Sequence, residues 1–173
     1  MKLLRTATLG ALALVAWGAT GAPAQTTCNT NPCSLNNTAS VTVGTVLRLT
    51  ISSATTALTP PTETAYDAGF QLDAGPTLTV KANRSWTLKA AANAANWTAA
   101  LGANAAKAAG DLQWSLASGG TYTGLTQTGT TVATGTQGGP GTAEPIFYKT
   151  LWSYANDTPG DYSLVVVYTL SAP

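Results

Sequence analysis

Hydrophobic and polar positions alternate along much of this chain. In "VTVGTVLRLTI", residues 41–51, Val41, Val43, Leu47, Leu49 and Ile51 fall on one side, and Thr42, Gly44, Arg48 and Thr50 on the other. Val46 breaks the phase. A period of two predicts a strand with one covered face, because successive Cβ atoms point to opposite sides of the pleat. "TLTVKA" sets Leu78 and Val80 against Thr77, Thr79 and Lys81, and "SWTLKA" sets Trp86, Leu88 and Ala90 against Ser85, Thr87 and Lys89. "DLQWSLA" repeats the device with Leu112, Trp114 and Leu116, and "TTVATG" is a weaker strand around Val132. "IFYKTLWSY" and "DYSLVVVYTL" are apolar at nearly every position. They predict strands covered on both faces and lying inside a sheet.

Turn residues punctuate these runs at Thr59-Pro60-Pro61-Thr62, Ala74-Gly75-Pro76, Ser118-Gly119-Gly120, Gly138-Gly139-Pro140-Gly141 and Pro159-Gly160. Short alternating strands separated by such signals predict an all-β antiparallel sandwich of about 7–9 strands with little helix. The one helix candidate is the alanine-rich stretch 88–110, interrupted by Asn93, Asn96, Gly102 and Asn104. It reads as a strand end followed by a loop with room for one helical turn. Proline at the second position of Thr158-Pro159-Gly160-Asp161, and glycine at the third, suit a tight reversal. That reversal would lay 162–170 antiparallel beside 146–154.

Two Trp-x-Leu triplets, Trp86-Thr87-Leu88 and Trp114-Ser115-Leu116, precede a terminal strand introduced by Gly160-Asp161-Tyr162. This resembles bacterial surface proteins of the WxL type, and secreted fimbrial or spore-coat-like sandwiches that close on a Gly-x-Tyr strand. The likeness spans residues 76–172. In WxL proteins the second triplet falls near the C-terminus, whereas here it is central and Tyr168-Thr169-Leu170 occupies the terminal strand. The resemblance implies an immunoglobulin-like or fimbrial-like sandwich at the cell surface, with a cell-wall or surface polysaccharide as a partner.

The first residues change the picture of compartment. Lys2 and Arg5 precede an apolar run, Leu9 to Trp17, and Ala22-Pro23-Ala24 supplies small residues for cleavage before Gln25. That is the layout of a secretory signal peptide over residues 1–24, too short in its apolar part to span a bilayer. The expected destination is secretion or the cell surface, with no membrane span in the mature form. A loop at 25–38 and a single sandwich domain at 39–173 would follow. Without Lys2 and Arg5 the chain holds 6 basic and 7 acidic residues, a net charge of −1. Such a balance offers no electrostatic footprint for nucleic acid. Charged residues are 9% of the chain, against a usual figure of about 25%. The weakly self-repelling surface permits close packing on copies of itself. Export makes a disulfide the expected state of Cys28 and Cys33, since a metal site would want two further ligands and a redox pair a closer spacing.

The chain has no histidine, so the commonest general base and the usual partner of a serine nucleophile are missing. Its acids, Glu63, Asp67, Asp73, Asp111, Glu144, Asp157 and Asp161, lie mostly beside turn residues. No nucleophile elbow, phosphate loop or zinc signature is present. The expectation is no catalytic residue, no metal and no cofactor. "NDTPGD" at 156–161 offers oxygen ligands without the spacing of a calcium loop, and a turn explains it.

The aromatics remain. Trp86 and Trp114 alternate in register with leucines and read as core. Trp97, in "AANAANWTAA", has small polar surroundings and reads as an exposed aromatic. Tyr148, Trp152 and Tyr154 share one strand face by period two. They would stack sugar rings, fill an inter-sheet core or make a subunit interface. Tyr162, Leu164, Val166, Tyr168 and Leu170 share a face of the last strand, which either closes the core or pairs with a neighbouring subunit. Two functions follow: a non-catalytic structural or adhesive surface protein self-associating through strand edges, or a carbohydrate-binding module using exposed aromatics.

Overall fold

The computed structural model describes residues 27–173. The expected signal segment and its cleavage site before Gln25 lie outside the described residues. The chain divides into two units, Met1–Thr42 and Val43–Pro173, a boundary four residues beyond the one expected. The described part of the first unit has no helix or strand and carries the Cys28–Cys33 disulfide, with Cα atoms 5.8 Å apart.

The second unit is an all-β sandwich. In chain order its elements are β1 (Leu47–Ile51), a short helix α1 (Glu63–Ala68), β2 (Phe70–Ala82), β3 (Trp86–Ala92), β4 (Thr98–Ala100), a 3-10 turn (Ala109–Asp111), β5 (Leu112–Ser115), β6 (Thr123–Gly124), β7 (Thr130–Gly135), β8 (Gly138–Leu151), β9 (Asp161–Ser163) and β10 (Val166–Ser171). One sheet runs β1-β2-β8-β5-β6, the other β10-β3-β7, and β4-β9 form a separate ribbon. Every pairing is antiparallel. The core lies between the sheets: Leu78 and Val80 from β2, Leu112 and Trp114 from β5, and Ile146 and Tyr148 from β8 meet Trp86, Leu88 and Ala90 from β3 and Val132 from β7. Both Trp-x-Leu tryptophans are core residues, Trp86 4% and Trp114 7% exposed. The backbone of Gly135 lies against the Trp86 ring, where a Cβ would stand 2.5 Å from the indole.

Several expectations are corrected. The alternating run 41–51 is a strand only from Leu47. Asn83 takes the hydrogen bonds that a longer ladder would need: its Oδ1 accepts from Val46 N at 2.8 Å and its Nδ2 donates to Gly44 O at 2.8 Å. Val41, Val43 and Val46 are left 87%, 76% and 61% exposed. Ala74-Gly75-Pro76 is not a turn. It lies within β2 at a register shift against β8, where Gly75 lets the backbone pass under the Tyr148 ring. Gly138–Gly141 likewise belongs to β8. The helix at 63–68 had no apolar periodicity to announce it.

The last segment departs furthest from expectation. β8 is inside its sheet, between β2 and β5, but 162–170 does not return beside it. Tyr162 pairs with Ala99 in the β4-β9 ribbon, and β10 pairs with β3, from Val166 against Ala92 to Ser171 against Thr87. β10 is therefore an edge strand with one covered face: Val166, Tyr168 and Leu170 are half-buried, and Val167, Thr169 and Ser171 exposed.

Candidate functional site

Strands β1 and β10 are the edges of their sheets on one side of the sandwich, and they approach each other there. A cleft of about 470 Å³ opens beside them. Ile51, Leu58 and Pro76 line it from the β1–β2 side, Leu164, Val166 and Tyr168 from the last segment, and the buried Trp97, Leu112 and Tyr148 at its inner end. The cleft is thus a gap in the sandwich wall through which core side chains are reached.

Tyr148 and Tyr168 tie the two sheets together at this cleft, their hydroxyls 2.7 Å apart. Burial pushes the ionisation of both upwards. The effect is largest at Tyr168, where the neighbouring Tyr148 adds to it. The folded state then holds protons that the unfolded chain releases near the ordinary tyrosine value of 10.0. Unfolding releases protons, so rising pH favours it. Stability is expected to be unaffected by this pair below about pH 10 and to fall above it. Urea unfolding midpoints measured across that range test this, and Tyr148→Phe with Tyr168→Phe should remove most of the slope.

The expected aromatic row does not exist as a row. Tyr148 is on β8 and 4% exposed, in the core. Trp152 and Tyr154 lie beyond the end of β8, in a loop that turns away from the strand direction. Trp97, expected to be exposed, is 5% exposed. Its indole N–H donates to Ala108 O at 3.0 Å and its ring meets Tyr162 edge-on. A context of alanines and asparagines, polar-looking in sequence, thus surrounds a buried position.

An aromatic cluster with one exposed ring forms elsewhere. Tyr154, 64% exposed, stacks on Tyr66 of α1 at 4.7 Å and 23°. Trp152 stands 6.1 Å from Tyr66, and the Tyr154 hydroxyl donates to Asp67 Oδ1 at 3.3 Å. Sequence reasoning missed Tyr66, because only the folded chain brings α1 to the loop after β8. Tyr162, Leu164, Val166, Tyr168 and Leu170 are all half-buried against the core, but not on one strand: Tyr162 is on β9, Leu164 lies between the strands, and Val166, Tyr168 and Leu170 are on β10. Among the described residues no group of three or more acidic or cysteine side chains is placed to hold a metal ion, and no helix is long and apolar enough to cross a membrane. No protein-family model, curated protein or solved structure matches the chain.

Proposed function

We propose that this is an exported, non-catalytic structural protein of the cell surface that self-associates through the edges of its sandwich. The observation that carries the reading is the pair of edges, β1 and β10, that have no strand partner on their outer side among the described residues, beside a cleft that opens on core side chains. An edge strand presents a row of backbone donors and acceptors to any incoming strand. On β10 that row is not guarded by charge, since its outward side chains are Val167, Thr169 and Ser171, whereas β1 carries the exposed Arg48. The exposed Val43 and Val46 ahead of β1 supply apolar surface for a neighbouring copy. Light scattering of the purified protein over a wide concentration range tests this. Assembly is expected to grow with concentration and to be suppressed by Val167→Lys, which places a charge on the edge. A wild-type protein that stays monomeric throughout would sink the proposal.

The exposed Tyr154 ring, stacked on half-buried Tyr66 beside Asp67, favours one second reading, a carbohydrate-binding module, since a flat exposed ring suits the apolar face of a sugar. Retention of the protein on cellulose or peptidoglycan, lost in Tyr154→Ala, would select it.

A further inference from the structure

Lys107 lies among alanines near the end of the alanine-rich stretch, and it is buried. The residue is 3% exposed and its side chain 1%. Its Nζ lies 2.8 Å from Asp157 Oδ1, and Asp157's side chain is 5% exposed. The same Nζ donates to Leu151 O at 2.7 Å and stands 4.3 Å from the centre of the Trp152 ring and 5.9 Å from that of Tyr162. A second carboxylate, Asp111 Oδ2, lies 3.6 Å away, with its side chain 34% exposed. The other oxygen of Asp157, Oδ2, accepts a hydrogen bond from Ser153 N at 2.8 Å. An amine is thus pressed against one carboxyl group in an aromatic enclosure. A backbone N–H sits on the far oxygen, and another carboxylate lies at the edge.

We propose that Lys107 and Asp157 are joined by an intramolecular isopeptide bond, formed without any outside reagent and with Asp111 relaying the protons. The ammonium and carboxylate exchange a proton within the pair at no change of net charge. Lys107 Nζ then attacks Asp157 Cγ, and negative charge develops on Oδ2, where the Ser153 N–H is already placed to receive it. The Cγ–Oδ1 bond breaks and Oδ1 leaves as water. Of the three protons of the starting ammonium, one stays on the amide nitrogen and two leave with the water, passed by Asp111. Atoms and charge balance, with no oxidant, nucleotide or metal consumed. Two physical terms favour the step. Holding the reacting groups in contact replaces an encounter by an intramolecular event. Converting a buried ion pair to a neutral amide removes the desolvation cost that such a pair carries.

The bond would lie between residues fifty positions apart. It would tie the segment after β4 to the segment before β9, the two strands of the ribbon. That suits a protein that must hold together outside the cell, but the inference rests on the local geometry and not on self-association.

Tryptic digestion of the purified full chain under reducing conditions, read by tandem mass spectrometry, tests it. An acylated Lys107 resists trypsin. The expected product is residues 90–149 uncut at Lys107 and attached to residues 150–173, lighter than the sum of the two by one water. Recovery of 90–107 and 150–173 as separate, unmodified peptides from the wild-type protein would overturn the proposal, whatever the variants do. Asp111→Asn should give the separate peptides while Lys107 and Asp157 remain. Full cross-linking in that variant would remove Asp111 from the mechanism.

Discussion

Trp86→Ala is expected to lower stability by about 3–5 kcal/mol, seen as a fall in the urea midpoint with an unchanged slope. Trp86 is 4% exposed on β3, the middle strand of the three-stranded sheet. Its ring covers Gly135 of β7, so the residue opposite has no side chain that could turn in to refill the space. The hydrogen-bonded strands on both sides of β3 hold the walls apart, and a cavity that cannot collapse is the expensive kind. Trp114→Ala, in the facing sheet, belongs to the same class but with a smaller loss. The Trp114 Nε1 is buried without a hydrogen-bond partner, so deleting the ring also removes an unsatisfied polar group. A variant at either position that keeps its midpoint and loses binding to a wall polymer would make the triplet a recognition element instead.

These two tryptophans also show what a period of two can and cannot reveal. It assigns a face, since Thr87 and Lys89 alternate with Trp86 and Leu88 whatever strand lies alongside. The inward set of the sandwich was therefore legible from sequence, including the phase of Tyr162 to Leu170. Pairing partners were not. The turn chemistry of Thr158 to Asp161 argued for a return beside β8, but a reversal acts only on what its flanks are free to do. Here the preceding loop is diverted: Asp157 binds Lys107, Thr158 Oγ1 donates to Gly102 O at 2.8 Å, and Tyr162 Oη takes a hydrogen bond from Asn104 N at 2.9 Å. Gly160 passes so close to Ala100 and Ala103 that a side chain would not fit. These contacts steer the chain to β4, a choice made by residues 50 to 58 positions upstream. Alternation was also insufficient at Val41 and Val43, where no strand lies alongside. The buried lysine had a faint signal, a cation among alanines, but its partners lie far away in sequence.

Removing residues 161–173 is expected to abolish soluble folding, measured as loss of a cooperative unfolding transition and of monomeric material after export or refolding. The deletion takes away β9 and β10 together. It strips one edge from the three-stranded sheet and so uncovers the backbone of β3 from Thr87 to Ala92. It removes the half-buried Tyr162, Leu164, Val166, Tyr168 and Leu170 from the core. Each half-covered apolar side chain contributes on the order of 1 kcal/mol, and five of them approach the whole stability of an ordinary domain, about 5–15 kcal/mol. Two polar groups also lose their partners: the buried Tyr148 loses the Tyr168 hydroxyl, and the half-buried Asn104 N–H loses the Tyr162 oxygen. Strand β10 therefore supports the core with one face and one edge. Its other edge has no strand partner among the described residues, and it is there that a neighbouring copy would bind under the proposed function. The two roles separate by experiment: Val167→Lys alters only the outward face and should leave the melting temperature within a few degrees of wild type while it blocks assembly. A truncated protein that stayed folded and monomeric, while the full chain polymerised, would show that β10 serves assembly alone and that the core closes without it.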